Sequence, residues 1–502
     1  MSWVLVVPLA IPFATAVFAF LYRNGPTGKW LSVTGNALQL AAAVILMIVV
    51  LREGVVAGQM GSWPAPFGIT LVADLLSAVM VLITAIIGLA VSVYALADVD
   101  PEMERLGYHA LFNVLIAGVT GAFITGDLFN LYVWFEVMLI ASFGLLVLGG
   151  RPEQIDGGVK YVALNLVSTI MFLSGVGLLY GMTGTLNMAD LATAVDDADP
   201  RLLTAVAILF MVAFGVKAAV FPLFFWLPAA YHTPAFSVSA VFAGLLTKVG
   251  VYALIRMFTL VFDHDIAFTH EILLWVAALT MVTGVLGAAA QNDFRRILSF
   301  HIISQIGYMI LGLALMTPLA IVGAVFYLVH HIVVKANLFL IAGAAHRIAG
   351  STHLSKIGGL YKSAPLLAAL FVIPAFSLAG FPPLSGFWAK FLLVKAAIEI
   401  DAWVIAGVAL LVGLLTIYSM TKIWGAAFWT PHPDGHDPSL ATLPSEVRLS
   451  LLLPVAFLAS LTLLIGMHPE PFVQFAEAAA DQLLNPEAYI EAVLGAPEGG
   501  TN

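Results

Sequence analysis

The sequence predicts an all-α polytopic membrane protein with about 14 transmembrane helices. Of its 502 residues, 61% are hydrophobic and only 10% are charged, whereas a soluble globular protein is about one quarter charged. Hydrophobic runs of roughly 20 residues recur along the chain, and each is long enough to cross about 30 Å of hydrocarbon. The basic residues outside these runs fall mainly in alternate loops, as a consistent orientation in the membrane requires.

The predicted spans follow one another closely, so we expect a single membrane domain over residues 1–502. Their centres lie at about residues 12, 41, 83, 115, 138, 171, 212, 247, 280, 307, 332, 380, 415 and 457. The first run has no basic residues at its start and is longer than a signal-peptide core, which favours a retained helix. The acidic stretch at about 431–446 is predicted to be a cytoplasmic loop. Residues 470–502 are predicted to form an amphipathic C-terminal tail with a disordered end, GAPEGGTN.

The loop charges predict the orientation of the chain. With both termini outside the cytoplasm, twelve basic residues fall in cytoplasmic loops and three in the opposite loops, which is the positive-inside pattern. The twelve are Arg23, Lys29, Arg105, Arg151, Lys160, Arg295, Arg296, Arg347, Lys356, Lys362, Lys422 and Arg448, and the three are Arg52, Arg201 and Arg256. We therefore predict a multi-pass protein of the cell membrane with both termini on the extracytoplasmic side.

Several function classes are disfavoured by composition. The chain has no cysteine, which excludes thiolate-bound iron–sulfur clusters and disulfides. His330 and His331 are adjacent and lack the i, i+4 spacing of a helical zinc site. Neither a glycine-rich phosphate loop nor a nucleophile–base pair stands out. The sequence thus predicts no metal, no cofactor, no enzymatic activity in this chain and no nucleic-acid partner.

Six ionisable residues fall inside hydrophobic spans, namely Glu136, Lys217, Lys248, Lys335, Lys390 and Lys395. A lysine or aspartate at a helix centre costs about 2.5–3.5 kcal/mol on insertion scales, so the set costs on the order of 15 kcal/mol unless it is paired or hydrated. Ionisable residues at such positions commonly mark ion or proton pathways.

Structural alternatives stay open for some of these residues. Lys395 can snorkel to the interface, and Lys335 can pair with a carboxylate or with carbonyls. Glu136 and Lys217 can form a static ion pair that locks two helices. For Lys217, Lys248 and Lys390 a proton relay is favoured, because burial weakens the hold of a lysine on its proton and a nearby carboxylate restores it.

Histidines add to this pattern. His331 and Lys335 are at i, i+4 and share a helix face, and an unperturbed histidine titrates at about pH 6.5. His330 is predicted to point elsewhere. One apolar helix carries a polar stripe at i, i+3, i+4 and i+7, formed by His301, Ser304, Gln305 and Tyr308. The stripe predicts either hydrogen-bonded helix packing or a water-lined path.

Two spans contain helix-breaking residues. The first break is predicted at Pro222 and Pro228 and the second at Gly380, Pro382 and Pro383. Proline removes a backbone donor, and freed carbonyls at membrane depth are tolerated only where protein or water satisfies them. The breaks fall in about the seventh and twelfth spans. They predict two inverted five-helix repeats, over residues 107–262 and 270–430, of the kind that builds transporters.

Five long motifs carry a family resemblance. They are TGDLFNLYVWFEVMLIASF, VKAAVFPLFFWLPAAYHTPAFSVSAVFAGLLTKVGVYALIR, NDFRRILSFHIISQIGYM, HHIVVKANLFLIAG and FSLAGFPPLSGFWAKF. Over about residues 70–430 the sequence resembles the antiporter-like subunits that Mrp-type multisubunit Na⁺/H⁺ antiporters share with the proton-pumping arm of respiratory complex I. Its length is most similar to that of the Mrp D subunits.

The resemblance implies roles for particular residues. Glu136 matches the fifth-helix glutamate of the family and Lys217 its seventh-helix lysine partner, while Lys248 matches the eighth-helix relay lysine. His331 matches the eleventh-helix histidine, with Lys335 four residues on as in some members. Lys390 matches the twelfth-helix terminal group. Gln305 stands where some relatives have histidine, so the central link is expected to rely on water and His331.

Taken together, the resemblance implies a proton-translocating subunit of a multisubunit Na⁺/H⁺ antiporter, with other subunits and the lipid bilayer as partners. Protons would move along Glu136, Lys217, Lys248, His331 and Lys390. Two rival functions remain at this stage. One is a proton-pumping membrane subunit of a redox complex, such as a quinone-dependent dehydrogenase or a membrane-bound hydrogenase. The other is a non-transporting scaffold whose buried lysines are structural.

Overall fold

The computed structural model describes residues 3–435 and 440–495, and helices make up nearly all of this part of the chain. The predicted all-α class is confirmed. Residues 436–439 of the predicted loop and residues 496–502 of the predicted disordered end lie outside the described residues.

The first half of the chain contains helices and a short β-hairpin. The helices are α1 (Trp3–Leu21), α2 (Thr27–Glu53), α3 (Leu75–Asp98), α4 (Pro101–Arg105), α5 (Tyr108–Ile124), α6 (Leu128–Val147), α7 (Pro152–Thr183), α8 (Met188–Ala194), α9 (Pro200–Ala218), α10 (Trp226–Ala230), α11 (Phe236–Val241) and α12 (Thr247–Leu260). The hairpin pairs β1 (Val56–Gln59) with β2 (Thr70–Ala73) in antiparallel register. A π-helical stretch, Phe242–Leu246, joins α11 to α12 in one continuous helix.

The second half of the chain is helical. Its helices are α13 (Ile266–Ala290), α14 (Phe294–Leu315), α15 (Pro318–Ala349), α16 (Leu360–Ser363), α17 (Pro365–Ala379), α18 (Ser385–Glu399), α19 (Trp403–Ile423), α20 (Ser445–Met467), α21 (Glu470–Leu484) and α22 (Glu487–Leu494). A π-helical stretch, Trp424–Trp429, extends α19. Short 3₁₀ turns occur at Met60–Ser62, Val195–Asp197 and Leu440–Thr442.

The helices match the predicted spans. Within the described residues, 12 helices are long and apolar enough to cross a membrane, and α5 and α17 are shorter apolar helices. Every predicted centre falls inside a helix except residue 380, which lies at the junction of α17 and α18. The polytopic membrane class is confirmed, whereas the inverted repeats and the depth of the breaks in the bilayer stay predictions.

The helices differ in how far they are enclosed by the rest of the protein. In the α11–α12 helix and in α14, 94% of the apolar stretch is buried, and in α15 89%, against 39–44% in peripheral helices such as α1, α7 and α19. The three enclosed helices carry Lys248, His301, His331 and Lys335. The ionisable residues therefore face the interior of the bundle, as residues that avoid lipid must.

Helix α9 stops at Ala218, and the following residue, Ala219, has a left-handed backbone with φ of 62°. Residues 219–225 are not helical. Pro222 lies within this interruption, where its missing N–H prevents a return to the helical ladder. Pro228 lies inside the short helix α10 instead, in its first turn, where no intrahelical donor is required. Both prolines thus lie between α9 and α11, Pro222 in the non-helical part and Pro228 in the five-residue helix α10.

The second interruption separates α17 from α18. Gly380 follows the last residue of α17 with φ of 90°, a conformation that glycine adopts without strain. Pro382 and Pro383 come next, and α18 begins at Ser385. At both interruptions, the last carbonyl groups of a helix lack the N–H donors that a continuing helix would supply.

The C-terminal helices pack on the rest of the protein. The buried face of α21 is formed by Ala476, Ala479, Ala480 and Leu483. Gln482 accepts a hydrogen bond from the backbone N–H of Leu75 at 2.9 Å, so α21 caps the start of α3.

Candidate functional site

Glu136 lies in the middle of α6. Its Oε1 accepts a hydrogen bond from Thr169 Oγ1 of α7 at 2.6 Å. Among the described residues no ion pair within 4 Å joins Glu136 to Lys217, although the two side chains are close enough to interact electrostatically. The static contact pair considered from the sequence is not formed.

Lys217 lies in the last turn of α9, immediately before the interruption. Its Nζ is 5.7 Å from the centroid of the Phe135 ring, which is a cation–π distance. Lys217 also borders a cavity of about 20 Å³ lined in part by Tyr161, Asn165 and Trp226. That volume is room for about one water molecule, so Lys217 adjoins a space that can be hydrated.

The interruption after α9 packs directly on α12. A Cβ on Gly250 would lie 2.6 Å from the nitrogen of Ala218 and 2.9 Å from the carbonyl carbon of Lys217, so a side chain here cannot fit without movement. Trp226 Nε1 donates a 3.0 Å hydrogen bond to the carbonyl of Val216, which satisfies a carbonyl near the helix end. The contact at Gly250 holds Lys217 against α12.

Gly250→Ala is expected to destabilise the protein, because the added methyl group meets backbone and overpacking costs about 1–3 kcal/mol. Gly177→Ala in α7 is the matched control, because a Cβ at Gly177 meets no atom within 4 Å. Thermal unfolding of the purified protein in detergent measures both effects. A Gly250→Ala protein that melts with the wild type would contradict the close packing.

Lys248 is completely buried near the start of α12. Its Nζ donates hydrogen bonds to the carbonyl of Ala243 and, at 3.2 Å, to Thr247 Oγ1. Ala243 belongs to the π-helical stretch, and such local changes of helical pitch frequently occur at functional sites. The π-helical carbonyl thus provides Lys248 with a backbone partner in the protein interior.

Lys335 and Lys390 are also held by backbone carbonyls. Lys335 Nζ donates to the carbonyl of Leu298 in α14 at 2.9 Å, as the structural alternative for this residue allowed. Lys390 Nζ donates to the carbonyl of Ala379, the last residue of α17, at 3.1 Å. Across the described residues, neither these two lysines nor Lys248 has a carboxylate within 4 Å. The dipoles of backbone carbonyl groups therefore stabilise these ammonium groups, in place of a carboxylate among the described residues.

The histidines of α14 and α15 connect these lysines. Both ring nitrogens of His301 and of His331 lack hydrogen-bond partners in the described part of the protein, and both residues are fully buried. Lys248 and Lys335 are close enough to act electrostatically on His331, as are Lys335 and Lys390 on His301. His301 is therefore within electrostatic range of both His331 and Lys390, a relation that the sequence left undecided.

The polar stripe of α14 contains further polar atoms without partners. Ser304 Oγ and Gln305 Nε2 have none within the described residues, while Gln305 Oε1 accepts a 2.5 Å hydrogen bond from the Tyr327 hydroxyl. Buried polar groups in native proteins are almost always paired, if not with protein then with ordered water. Tyr308, the last residue of the stripe, donates its hydroxyl to the carbonyl of Ala409 in α19. The stripe thus combines hydrogen-bonded helix packing with unpaired polar atoms among the described residues, and both predictions for it stay open.

Lys395 differs from the other lysines. Its side chain is 52% exposed and its Nζ is 3.7 Å from Glu399, four residues later. An exposed pair of this kind contributes little stability. Lys395 lies on the surface of α18, in agreement with the snorkelling alternative.

A cavity of about 620 Å³ opens where α3 and α15 end and α14 begins. Its charged and titratable lining includes Asp98, Arg151, His232, Asp293, Arg295, His346 and Arg347. Tyr94 also lines it, and the Tyr94 hydroxyl donates to the carbonyl of Leu340 at 2.9 Å. Sequence reasoning missed Asp98 and Tyr94, because a charge and a tyrosine at the end of a span are ordinary interfacial residues.

The cavity reaches close to Lys335. Arg295, in its wall, lies three residues before Leu298 in α14, so about 4.5 Å of helix rise separates the cavity wall from the carbonyl that binds Lys335. His232, in the loop before α11, also lines the cavity. Burial, reinforced by Arg296 and Arg295, lowers the pKa of His232 to about 4, so this histidine is uncharged at neutral pH.

Two buried or half-buried aspartates, Asp74 and Asp127, have protein partners. Asp74 Oδ2 forms a 2.7 Å ion pair with Arg256, and Asp127 caps the start of α6 by accepting the N–H of Asn130. The assignment of Arg256 to an outer loop was wrong, because Arg256 lies inside α12 and is only 3% exposed. Across the described residues no cluster of three or more His, Cys, Asp or Glu could hold a metal ion.

His330 is a site residue that sequence reasoning passed over. Its Nδ1 is 2.8 Å from Ser385 Oγ at the start of α18. No pattern within a single helix could have indicated this contact, since it joins α15 to a helix more than 50 residues away.

Comparison with known proteins identifies the family. Residues 125–416 match the family described as NADH:quinone oxidoreductase/Mrp antiporter, transmembrane. The chain is 47% identical over 497 residues to a Na⁺/H⁺ antiporter D subunit from Alkalihalophilus pseudofirmus, covering 98% of this chain and all of the relative.

Solved structures agree with the sequence comparison. A chain of the Mrp complex from Dietzia sp. DQ12-45-1b superposes with a TM-score of 0.91 at 34% identity, covering 99% of this chain and all of that chain. A chain of the membrane-bound sulfane sulfur reductase, an archaeal respiratory membrane complex, superposes with a TM-score of 0.90 at 28% identity, covering 98% of this chain and all of that chain. The chain belongs to the NADH:quinone oxidoreductase/Mrp antiporter family, and within it to the group of the Na⁺/H⁺ antiporter D subunits.

Proposed function

We propose that this chain carries protons across the cell membrane as one subunit of a multisubunit Na⁺/H⁺ antiporter. The proposal rests on a row of buried lysines with carbonyl partners, continued by His301 and His331. Within the described part of the chain, these lysines have no carboxylate within 4 Å and the ring nitrogens of these histidines have no hydrogen-bond partner. Such groups are costly in a membrane protein and are expected where protons pass. The names of the relatives, which are antiporter subunits, support the same function.

The proposed route begins at Glu136 and Lys217 and continues through Lys248 to His331. Lys335 lies beside His331, and the route continues through His301 to Lys390. Water joins these groups across the gaps. The separation of Glu136 and Lys217 governs the first step, because the attraction between two charges falls with distance. An approach of the two side chains holds the proton on Lys217, and their separation releases it inward.

The large polar cavity is the proposed cytoplasmic access. The cavity lies at one end of the helix bundle, and the positive-inside pattern assigns that end to the cytoplasm. The cavity wall comes within about one helical turn of the Leu298 carbonyl that binds Lys335. Both chain termini then lie on the extracytoplasmic side. Residues 107–262 and 270–430 form the two five-helix units, each with one interrupted helix, and the amphipathic tail begins at residue 470.

A second candidate function is a proton-pumping membrane subunit of a redox complex. The structural similarity to a chain of the sulfane sulfur reductase complex favours this second function. The two functions share the proton route and differ in partners. Affinity purification of the tagged chain from its native membrane discriminates them, because antiporter subunits would co-purify in the first case and iron–sulfur or nickel–iron subunits in the second.

Lys390→Ala and Lys395→Ala test the proposed function on one helix. The assay uses everted vesicles that contain the complete complex and hold a preformed pH gradient. Antiport is measured as the rate at which added Na⁺ dissipates this gradient, followed by the fluorescence of an amine dye. Lys390→Ala is expected to lower this rate by about tenfold or more, the loss expected when a proton-transfer group is removed. Lys395→Ala, on the exposed face, is expected to keep the wild-type rate. Equal rates in both variants, with the complex intact, would contradict the proposal.

A further inference from the structure

The interruption between α17 and α18 is bridged by three polar side chains. Ser385 Oγ lies 2.9 Å from Ser377 Oγ and 2.8 Å from His330 Nδ1. Ser377 Oγ also accepts the backbone N–H of Gly386 at 3.1 Å. Ser377 lies in the last turn of α17, Ser385 and Gly386 begin α18, and all three bridging side chains are fully buried. The cluster therefore ties both sides of the interruption to α15.

The ends of α17 and α18 are in close backbone contact at this bridge. A Cβ on Gly386 would overlap the carbonyl oxygen of Ser377 and would lie 2.9 Å from His330 Cε1. The two helix ends thus approach each other as closely as backbone atoms allow. His330 also contacts the Tyr327 ring edge-on, with centroids 5.6 Å apart, which limits where its imidazole can move.

The bridge lies next to the partners of Lys390. The carbonyl that accepts from Lys390 belongs to Ala379, two residues after Ser377. Lys390 itself lies one turn after Gly386 in α18, and its stem packs on Gly380, where a Cβ would lie 2.8 Å from Lys390 Cδ. A change in the separation of Ser377 and Ser385 therefore changes the distance between the Lys390 ammonium and its carbonyl.

We propose that His330 is a positioning residue for Lys390: through Ser385 and Ser377 it holds the interruption closed and keeps the Ala379 carbonyl on the Lys390 ammonium. The inference rests on the proposed function, in which Lys390 is the last proton-transfer group. His330 Nε2 has no hydrogen-bond partner within the described residues, so the hydrogen bond of the imidazole to the bridge is made by Nδ1.

The alternative is that His330 merely fills space. Three variants separate the two possibilities. His330→Ala removes the Nδ1 contact and the ring, whereas His330→Asn restores a polar group near the position of Nδ1 without an imidazole. Ser385→Ala breaks the same contact from the other side by removing one oxygen atom.

In the vesicle assay, His330→Ala and Ser385→Ala are each expected to lower the antiport rate by about tenfold, since a buried polar contact is lost in both. The double variant is expected to be no slower than either single variant, because residues that act through one contact are not additive. His330→Asn is expected to keep at least about half the wild-type rate, because the hydrogen bond is retained. His270→Ala is the control, because His270 is a buried histidine of α13 outside the route, and it is expected to keep the wild-type rate.

The outcomes decide the inference separately from the proposed function. A wild-type rate in His330→Ala, additive losses in the double variant, or an Asn variant as slow as the Ala variant would each overturn it. If Lys390→Ala transports normally, the proposed function itself fails, whereas an inactive Lys390→Ala with an active His330→Ala rejects only the positioning role. Should His330→Ala not assemble, Ser385→Ala decides, and an unchanged rate in that variant overturns the inference.

Discussion

Replacing Lys217 with alanine is expected to abolish antiport while leaving the complex assembled. Lys217 borders the small cavity beside α12 and lies within electrostatic reach of Glu136 without contacting it. It is thus placed to gain or lose a proton as the carboxylate moves. We expect Na⁺-dependent proton movement in everted vesicles to fall by at least about tenfold, with normal recovery of the other subunits on purification.

Lys217→Arg distinguishes a proton carrier at this position from a structural positive charge. A guanidinium keeps the positive charge but does not release a proton in proteins, since its pKa is above about 12. A relay at this position therefore predicts that the arginine variant is as inactive as the alanine variant. A structural charge, as in the scaffold alternative, predicts instead that arginine restores activity. Near-normal antiport in either variant would reject a proton-carrying role for Lys217.

Lys248→Met is expected to abolish antiport and at the same time to stabilise the protein. Lys248 is fully buried with a carbonyl and a hydroxyl as its hydrogen-bond partners and no carboxylate within 4 Å among the described residues. A lysine at such a depth costs about 2.5–3.5 kcal/mol on insertion scales, and methionine of similar length removes that cost. Vesicle transport measures the loss, and thermal unfolding of the purified complex measures the gain.

The opposite signs of these two effects exclude misfolding as the cause of inactivity. Thr247→Val is the matched control, because it removes the hydroxyl partner of Lys248 at 3.2 Å and leaves the ammonium in place. We expect it to lower antiport by less than about threefold, since one neutral hydrogen bond contributes about 0.5–1.5 kcal/mol. A Lys248→Met protein that transports, or that is inactive and less stable than the wild type, would refute the assignment.

Much of the architecture follows from hydropathy alone. The bilayer requires every spanning segment to satisfy its own backbone, so each span is a local property of about 20 residues. For that reason every predicted centre but residue 380 falls inside a helix, and Pro222, Gly380, Pro382 and Pro383 lie in non-helical segments. Pro228 lies in the same region as Pro222, inside the five-residue helix α10 between α9 and α11, and its role as a helix breaker stays a prediction.

The ionisable residues were also visible in the sequence, because a charge inside an apolar run is rare and costly. Their partners were not. The carbonyl of Leu298 that holds Lys335, the Thr169 hydroxyl on Glu136 and the Asp74–Arg256 pair all join residues more than 30 positions apart. Nothing in the periodicity of one helix specifies these contacts.

The sequence by itself thus determined the polytopic membrane class, the approximate positions of the apolar helices, and the identities of the lysines, histidines and glutamate that lie within them. Only the tertiary structure decided which of these groups meet: it brings His301 within electrostatic range of His331 and Lys390 and places His330 in contact with Ser385. The physical reason is that α12, α14 and α15 are enclosed on almost all sides. An enclosed helix has no lipid-facing stripe to set its rotation, so packing against its neighbours alone decides where each polar side chain points.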